Sequence, residues 1–290
     1  MSVLVFGAEG QLGQALQSIA PPGLELTYAG RTECDLTDAN AVSDYIDRID
    51  PEYIINCAAY TAVDKAEEDV EACYKVNRDA VRDIAECCAN RKLIHISTDF
   101  VFDGKQRTPY TPEDPTAPLG VYGASKLAGE QAALETLPNQ AMIIRTSWVY
   151  YTIGENFVKT MLRLMVEKES LSVVSDQRGS PTFAKSLAET IRRIIVQSCF
   201  TPGIYHWTDA GDITWWDFAK AIQEEGVLKG LLADTIPIVP IQTSEYPTPA
   251  QRPAYSVLDT TKLENLVEQG ATPWRDNLNQ MFEEFRSNER

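Results

Sequence analysis

The chain is poor in histidine, with only His95 and His206, and its six cysteines (Cys34, Cys57, Cys73, Cys87, Cys88, Cys199) form no C-x-x-C pair. Zinc sites need clustered Cys and His at such spacings, so no metal is expected on this ground. Runs of lysine and arginine are also missing, with 26 basic residues against 42 acidic ones and a formal charge of −16. A nucleic-acid binder needs a basic stripe, so that partner class is excluded, and the acidic balance reads as a solubility feature. A chain this acidic that handles a nucleotide must concentrate positive charge at the site. No apolar run approaches the length needed to span a membrane. Met1-Ser2 leads straight into an apolar strand with neither a basic n-region nor a cleavage site, so a cytoplasmic location is expected, with reduced and mostly buried cysteines. There are no internal repeats or low-complexity segments.

What is present is an ordinary globular composition, 44% hydrophobic and 23% charged over 290 residues, enough for a core with a large appended lobe. Apolar runs Val3–Phe6, Leu26–Tyr28, Tyr53–Ile55, Leu93–Ile96 and Ala141–Ile144 read as strands. Between them lie helical patterns over Gln11–Ala20, Asp38–Ile49 behind the cap candidate Thr37, and about Val70–Asn90. Strands alternating with helices imply a doubly wound α/β fold with a parallel sheet, and uninterrupted apolar strands fit burial on both faces. After about Trp148 the texture changes. Helices at about 155–169 and 183–198 flank a strand at Leu171–Val174, a further strand follows at Ile204–Trp207, and aromatics and proline-rich loops fill the rest. The expectation is a dinucleotide-binding unit of residues 1–150 and about 171–213. About 151–170 and 214–290 would form a smaller, partly interleaved α/β substrate lobe.

Gly7, Gly10 and Gly13 lie directly after the first strand and open the first helix, around Gln11 and Leu12. Glycines there permit a tight turn and close approach of backbone to a pyrophosphate, which the free N–H groups of the helix N-terminus would face. The chain is therefore expected to be Rossmann-type. The spacing is G-x-x-G-x-x-G, that of short-chain dehydrogenase/reductases. An acidic residue ending the second strand would select NAD, but this strand ends Ala29-Gly30-Arg31. Arginine there can pair with a 2′-phosphate, so NADPH is the expected preference, with NADH usable. Asp35 and Leu36 are expected beside the adenine, and Ala58, Ala59, Tyr60 and Thr61 along the cofactor after the third strand.

Tyr122 and Lys126 stand four apart, on one face of a helix. Hydride reduction of a ketone puts alkoxide character on its oxygen, which requires a proton donor. A nearby ammonium is expected to draw the tyrosine pKa down from about 10 toward neutrality. Thr98, ending the fourth strand, is placed to hydrogen-bond the carbonyl oxygen. Thr98, Tyr122 and Lys126 are the expected catalytic set.

These features, with the runs Asn56 to Glu67, Ser97 to Gly104, Tyr122 to Glu130, Arg145 to Tyr150, Asn156 to Leu164, Gly179 to Thr182 and Arg252-Pro253, give a family likeness running nearly end to end. The chain resembles the extended short-chain dehydrogenase/reductases, and within them the dTDP-4-dehydrorhamnose reductases. The resemblance implies reduction by NAD(P)H of the C4 ketone of dTDP-4-dehydro-L-rhamnose. It also implies a sugar pocket lined by Val63, Phe100, Tyr122 and Trp148, with Asn156 and Arg252 as candidates for the nucleotide diphosphate. Phe100 stands where a tyrosine is usual, keeping a flat wall without the hydroxyl. Trp215 and Trp216 read as packing residues. Some members of the family are dimers bridged by magnesium through glutamates; a homodimer is compatible with the likeness, but Ala15 stands where a glutamate is expected, so no metal is predicted.

A sugar-nucleotide dehydratase of this fold would need an Asp-Glu pair, whereas Asp99 is followed by Phe100. Arg31 and the family-specific runs count against a C4 epimerase. A non-catalytic NADP-binding subunit, like the β subunit of methionine adenosyltransferase, would not need the intact triad.

Overall fold

In the computed structural model, residues 1–20 and 24–288 are described. The N-terminal half alternates strand and helix. Strand β1 (Ser2–Phe6) leads to α1 (Gln11–Ser18), β2 (Glu25–Ala29), α2 (Ala39–Ile49) and β3 (Tyr53–Asn56). The short helices α3 (Val63–Ala66), α4 (Val70–Tyr74) and α5 (Ala80–Glu86) then precede β4 (Lys92–Thr98), α6 (Val121–Thr136) and β5 (Ala141–Thr146). Helix α2 is capped by Asp38, whose carboxylate accepts from the N–H groups of Asn40 and Ala41. The expected cap, Thr37, instead bonds Asp35 Oδ1. A carboxylate at a helix N-terminus also meets the positive end of the helix dipole, which favours Asp38 over the neutral hydroxyl.

The single helix expected over about Val70–Asn90 is broken by a π-helical stretch, Lys75–Asp79. The buried side chain of Asn77 inside it accepts from Tyr60 N and donates to Tyr60 O and Ser125 Oγ, at 2.8, 3.1 and 3.0 Å. Long-range partners thus hold the bulge, and local periodicity carries no trace of them.

The second half carries β6 (Val149–Tyr150), α7 (Phe157–Glu167), β7 (Leu171–Val174), β8 (Arg178–Gly179), β9 (Thr182–Phe183), α8 (Ala184–Val196) and β10 (Gly203–His206). It ends with β11 (Ile213–Thr214), α9 (Trp215–Leu228), β12 (Ile238–Ile241), α10 (Thr261–Val267) and α11 (Trp274–Asn288). The large sheet has six parallel strands in the order β10-β5-β4-β3-β1-β2. Every residue of β3 and β5 is buried, which explains their unbroken apolar runs. Strand order reverses between β1 and β3, where open α/β sheets open a crevice at their C-terminal ends.

Apolar residues on the two faces of the sheet form two cores. Leu4, Phe6, Ile54, Ile84 and Ile143 belong to one, while Val5, Ile55, Ile144, Leu187 and Ile191 belong to the other. The second core continues into α9 and α11 through Phe218, Ile222, Leu278 and Phe282. Strand β7 pairs with β12 rather than with the large sheet. No helix among the described residues is long and apolar enough to cross a membrane.

Candidate active site

A cleft of about 630 Å³ opens along the C-terminal ends of β1, β2 and β3. Its lining includes Gly7, Gly10, Gln11, Leu12, Arg31, Asp35 and Leu36, and the wall Ala58, Ala59, Tyr60 and Thr61, with Tyr122 and Lys126 also on its surface. Of the residues expected at the cofactor, Gly13 alone is outside this lining; it is buried within α1.

The turn after β1 depends on Gly7, whose φ of +79° is left-handed and whose Cβ, if present, would lie 2.6 Å from Ala58 N. Helix α1 has Gly10 at its N-cap position, so it has no side-chain cap, and it has no acidic residue in its first turn. An uncapped helix N-terminus facing a cleft suits an anion, so the loop fits the pyrophosphate of a dinucleotide. Arg31 is exposed at the rim, and its charge helps hold the Asp35 carboxyl below its usual range, behind the larger effect of hydrogen bonds from Thr37. That leaves a cation at the rim of the first cleft.

Helix α6 delivers the reactive pair. A Cβ on Gly123 would collide with the Phe100 carbonyl oxygen, so only glycine lets α6 lie this close to the end of β4. Tyr122 and Phe100 pack edge to face, centroids 5.5 Å apart at 75°. Lys126 is 2% exposed; its Nζ donates to Ile96 O at 2.6 Å and stands 3.4 Å from His95 Nε2. His95, fully buried, contacts the Asn56 amide at 3.3 Å through its other nitrogen. Burial pushes the Lys126 ammonium down to about 8 despite the Glu130 carboxylate, and pushes the Tyr122 phenol up to about 12. The expected lowering of the tyrosine by the lysine is therefore not what this arrangement provides. After burial, the groups that act on the phenol are Thr98, which favours the phenolate, and Asp99 and Cys73, which oppose it. The Lys126 ammonium is turned to the β4 carbonyl instead. Tyr122 thus holds its proton at neutral pH and can give it only to a strongly basic oxygen.

Thr98 lies outside the lining of the cleft but ends β4 beside Tyr122, accepting from Phe100 N at 3.2 Å and donating to Asp99 Oδ1 at 3.1 Å. Beneath it, Glu130 accepts from Ser97 Oγ at 2.5 Å and pairs with Arg145 at 2.7 Å, both members of the pair 2% exposed. Glu130 lies four residues beyond Lys126 on the same helical face, a spacing visible in the sequence.

A second cleft, of about 450 Å³, runs between Phe100 and the smaller lobe, lined by Trp148, Trp215, Gln177, Tyr246, Arg252 and Ser256 among others. The Trp148 backbone is left-handed, φ 48°, and its indole lies over Gly179 and stacks on Trp215 with centroids 3.5 Å apart. Trp215, read from the sequence as packing alone, does both: it packs on Trp148 and lines the cleft. A strained backbone held between two packing partners marks Trp148 as a fixed wall.

Two expected substrate residues sit differently. Val63 opens α3 and lines neither cleft. Asn156 also lines neither; it caps α7 through Lys159 N, and its amide donates to Gln11 Oε1 and Tyr151 O. Arg252 does line the second cleft, but its guanidinium is paired with Asp64 at 2.7 Å and bonded to Thr248 Oγ1, so its charge is partly neutralised. Sequence alone gives no sign of this pairing, because 188 residues separate the two.

Known proteins are similar to this chain over nearly its whole length. The family model for the RmlD substrate binding domain matches residues 1–287. A dTDP-4-dehydrorhamnose reductase of Aggregatibacter actinomycetemcomitans is 41% identical over 282 residues, covering 94% of this chain and 95% of that protein. The crystal structure of a dTDP-4-dehydrorhamnose reductase from Clostridium acetobutylicum superposes with a TM-score of 0.91 at 34% identity, over 99% of this chain and 100% of that one. That of the Bacillus anthracis dTDP-4-dehydrorhamnose reductase in complex with NADP gives 0.90 at 37%, over 98% and 99%. On fold, site geometry and these relatives together, the chain belongs to the dTDP-4-dehydrorhamnose reductase family.

Proposed function

We infer that the chain is an NADPH-dependent reductase, able also to use NADH, that reduces the C4 ketone of dTDP-4-dehydro-L-rhamnose to give dTDP-L-rhamnose. The observation that carries this reading is the packing of a wall of the second cleft against a tyrosine on the surface of the first. Tyr122 lines the first cleft, and Phe100, packed edge-on against it, lines the second. A relative of the same family binds NADP, and the loop Gly7 to Leu12, Arg31 and the wall Ala58 to Thr61 would hold that cofactor here. When bound, it supplies the hydride.

The chain's own groups do the rest. Phe100, Trp148 and Trp215 form flat walls that orient the sugar and exclude water from its carbonyl. Thr98 holds the carbonyl oxygen toward the phenol, and Tyr122 passes its proton to that oxygen as negative charge develops there. A phenol held near 12 is a weak acid toward water but a competent donor to an alkoxide. Lys126, fixed by the Ile96 carbonyl, keeps a positive charge within the same buried region. Arg252 with Asp64 borders the second cleft where a nucleotide diphosphate would lie.

In this reading the cofactor unit comprises residues 1–150 and most of 175–213, and the substrate lobe comprises about 151–170 and 214–288. Residues 171–174 go with the lobe, because β7 pairs with β12. Residues 289 and 290 of the expected lobe fall outside the described residues. Six unpaired cysteines support a reducing, cytoplasmic setting.

Following NADPH absorbance with freshly generated dTDP-4-dehydro-L-rhamnose, beside its UDP counterpart, tests the reading. One NADPH oxidised per keto sugar, faster with the dTDP form, is expected. Absence of oxidation, with a partner enzyme copurifying, would overturn it.

A further inference from the structure

Helix α6 carries Tyr122 at its second position, yet its own sequence does not close its N-terminus. The N-cap is Gly120, which has no side chain to offer, and the first turn holds no acidic residue. The N–H of Val121 is satisfied from another element instead: Glu67 Oε1 accepts from it at 2.9 Å, across 54 residues of chain. A Cβ on Gly120 would lie 2.6 Å from that same oxygen, so the bare glycine makes the room in which the carboxylate sits. A carboxylate there also meets the positive end of the helix dipole.

Glu67 is the C-cap of the one-turn helix α3 and keeps helical φ and ψ, −64° and −27°. Asp64 precedes it by three residues, a spacing that sets both carboxylates on one side of the turn. Asp64 accepts from Ala250 N at 3.2 Å and from Arg252 Nη2 at 2.7 Å. Helix α3 is thus held at the loop that borders the second cleft, and it holds the start of α6. Neither Asp64 nor Glu67 lines either cleft.

We propose that Glu67 is a positioning residue for the proton donor: it fixes the first turn of α6, and with it the reach of the Tyr122 hydroxyl, relative to the lobe that presents the substrate. This rests on the reductase reading above. Glu67 acts through Val121 N, and Tyr122 is the next residue, so a first turn that frays moves the phenol directly. Further along the helix, Lys126 is held by Ile96 O and Glu130 by Arg145. Loss of the cap therefore loosens the tyrosine's end of α6 and leaves the rest of the helix seated on the sheet.

The test compares Glu67→Ala, Glu67→Gln and Gly120→Ala with the wild-type enzyme, using NADPH and the keto sugar nucleotide at saturation. Glu67→Ala is expected to lower kcat by roughly 10–100-fold, the scale of a misplacement of about 1 Å, while the Kd for NADPH stays near wild type. Glu67→Gln keeps an acceptor oxygen toward Val121 N and is expected to recover most of the rate. Gly120→Ala leaves Glu67 in the chain but displaces its carboxylate, so it is expected to follow Glu67→Ala. Amide hydrogen exchange, followed by mass spectrometry, is expected to quicken in the first turn of α6 in both alanine variants and to stay slow beyond Lys126. A kcat near wild type in Glu67→Ala would overturn the proposal. So would a loss in Glu67→Gln as deep as in Glu67→Ala, since charge and not placement would then be the cause, or exchange that does not change. If Glu67→Ala fails to fold, Gly120→Ala is read by the same rate, affinity and exchange, and a wild-type kcat there overturns the proposal. A wild-type enzyme that fails to oxidise NADPH would remove the reductase reading and the positioning role together, whereas the differences among variants concern Glu67 alone.

Discussion

At the scale of single residues, the chemistry divides between groups that carry protons and groups that carry charge. In the proposed reaction Tyr122 belongs to the first kind. Tyr122→Phe keeps the ring against Phe100 and removes only the hydroxyl, so kcat/KM is expected to fall by about 10²–10⁴ while NADPH affinity, measured by fluorescence titration, stays near wild type. Retained turnover would remove Tyr122 as the acid. Arg31 belongs to the second kind, standing at the rim of the first cleft. For Arg31→Ala the KM for NADPH should rise roughly tenfold more than the KM for NADH, the scale of one charge-assisted hydrogen bond. Equal effects on both cofactors would deny it a role at the 2′-phosphate. That Tyr122, Lys126 and Arg31 share one cleft was legible from residue type and spacing, whereas Thr98 lies outside its lining. The environment that sets their pKa values was not, because burial and the turn of Lys126 toward Ile96 depend on how α6 lies against β4.

At the scale of elements, two short segments place the site: the turn from β1 into α1, and the seating of α6 on the end of β4. The first is sensitive at Gly7, where a side chain meets both a left-handed φ and the Ala58 backbone. Gly7→Ala is therefore expected to weaken NADPH binding strongly and lower the thermal midpoint. Unchanged cofactor affinity in a direct titration would show that the turn can shift without cost. The glycine spacing announced this element, and alternation of strand and helix announced the sheet. Less was readable where an element depends on distant partners. The π-helical stretch at Lys75–Asp79 exists because Asn77 reaches Tyr60 and Ser125, and periodicity over Val70–Asn90 reads as one helix without them.

At the scale of the whole molecule, the buried Glu130–Arg145 pair ties α6 to β5 beneath the site. Glu130→Ala leaves a buried guanidinium without its counter-charge, and a loss of about 3–5 kcal/mol in urea unfolding is expected. A shift under 1 kcal/mol, within the reach of ordinary surface changes, would mean that water replaces the carboxylate. His206 gives a pH signature. Burial holds its pKa down at about 3, so the folded protein leaves it neutral while the unfolded chain protonates it below about 6.5. Its contribution to stability is therefore lost as pH falls below that value, and His206→Asn should narrow the gap between thermal midpoints at about pH 7 and pH 5. An unchanged gap would show that other groups set the slope; Asp209, held up at about 7 by burial, acts in the opposite sense over the same range.

Chain order alone determined the parallel α/β core, the glycine turn at the cofactor, the tyrosine–lysine pair and the family likeness, because each is written in local spacing or in short runs. Tertiary structure alone decided that Asp64 pairs with Arg252, that β7 joins β12, and that the Asn156 amide reaches Gln11 instead of lining a cleft. The physical reason is separation along the chain. Such contacts join groups tens to hundreds of residues apart, and the burial that sets their electrostatics exists only in the folded chain.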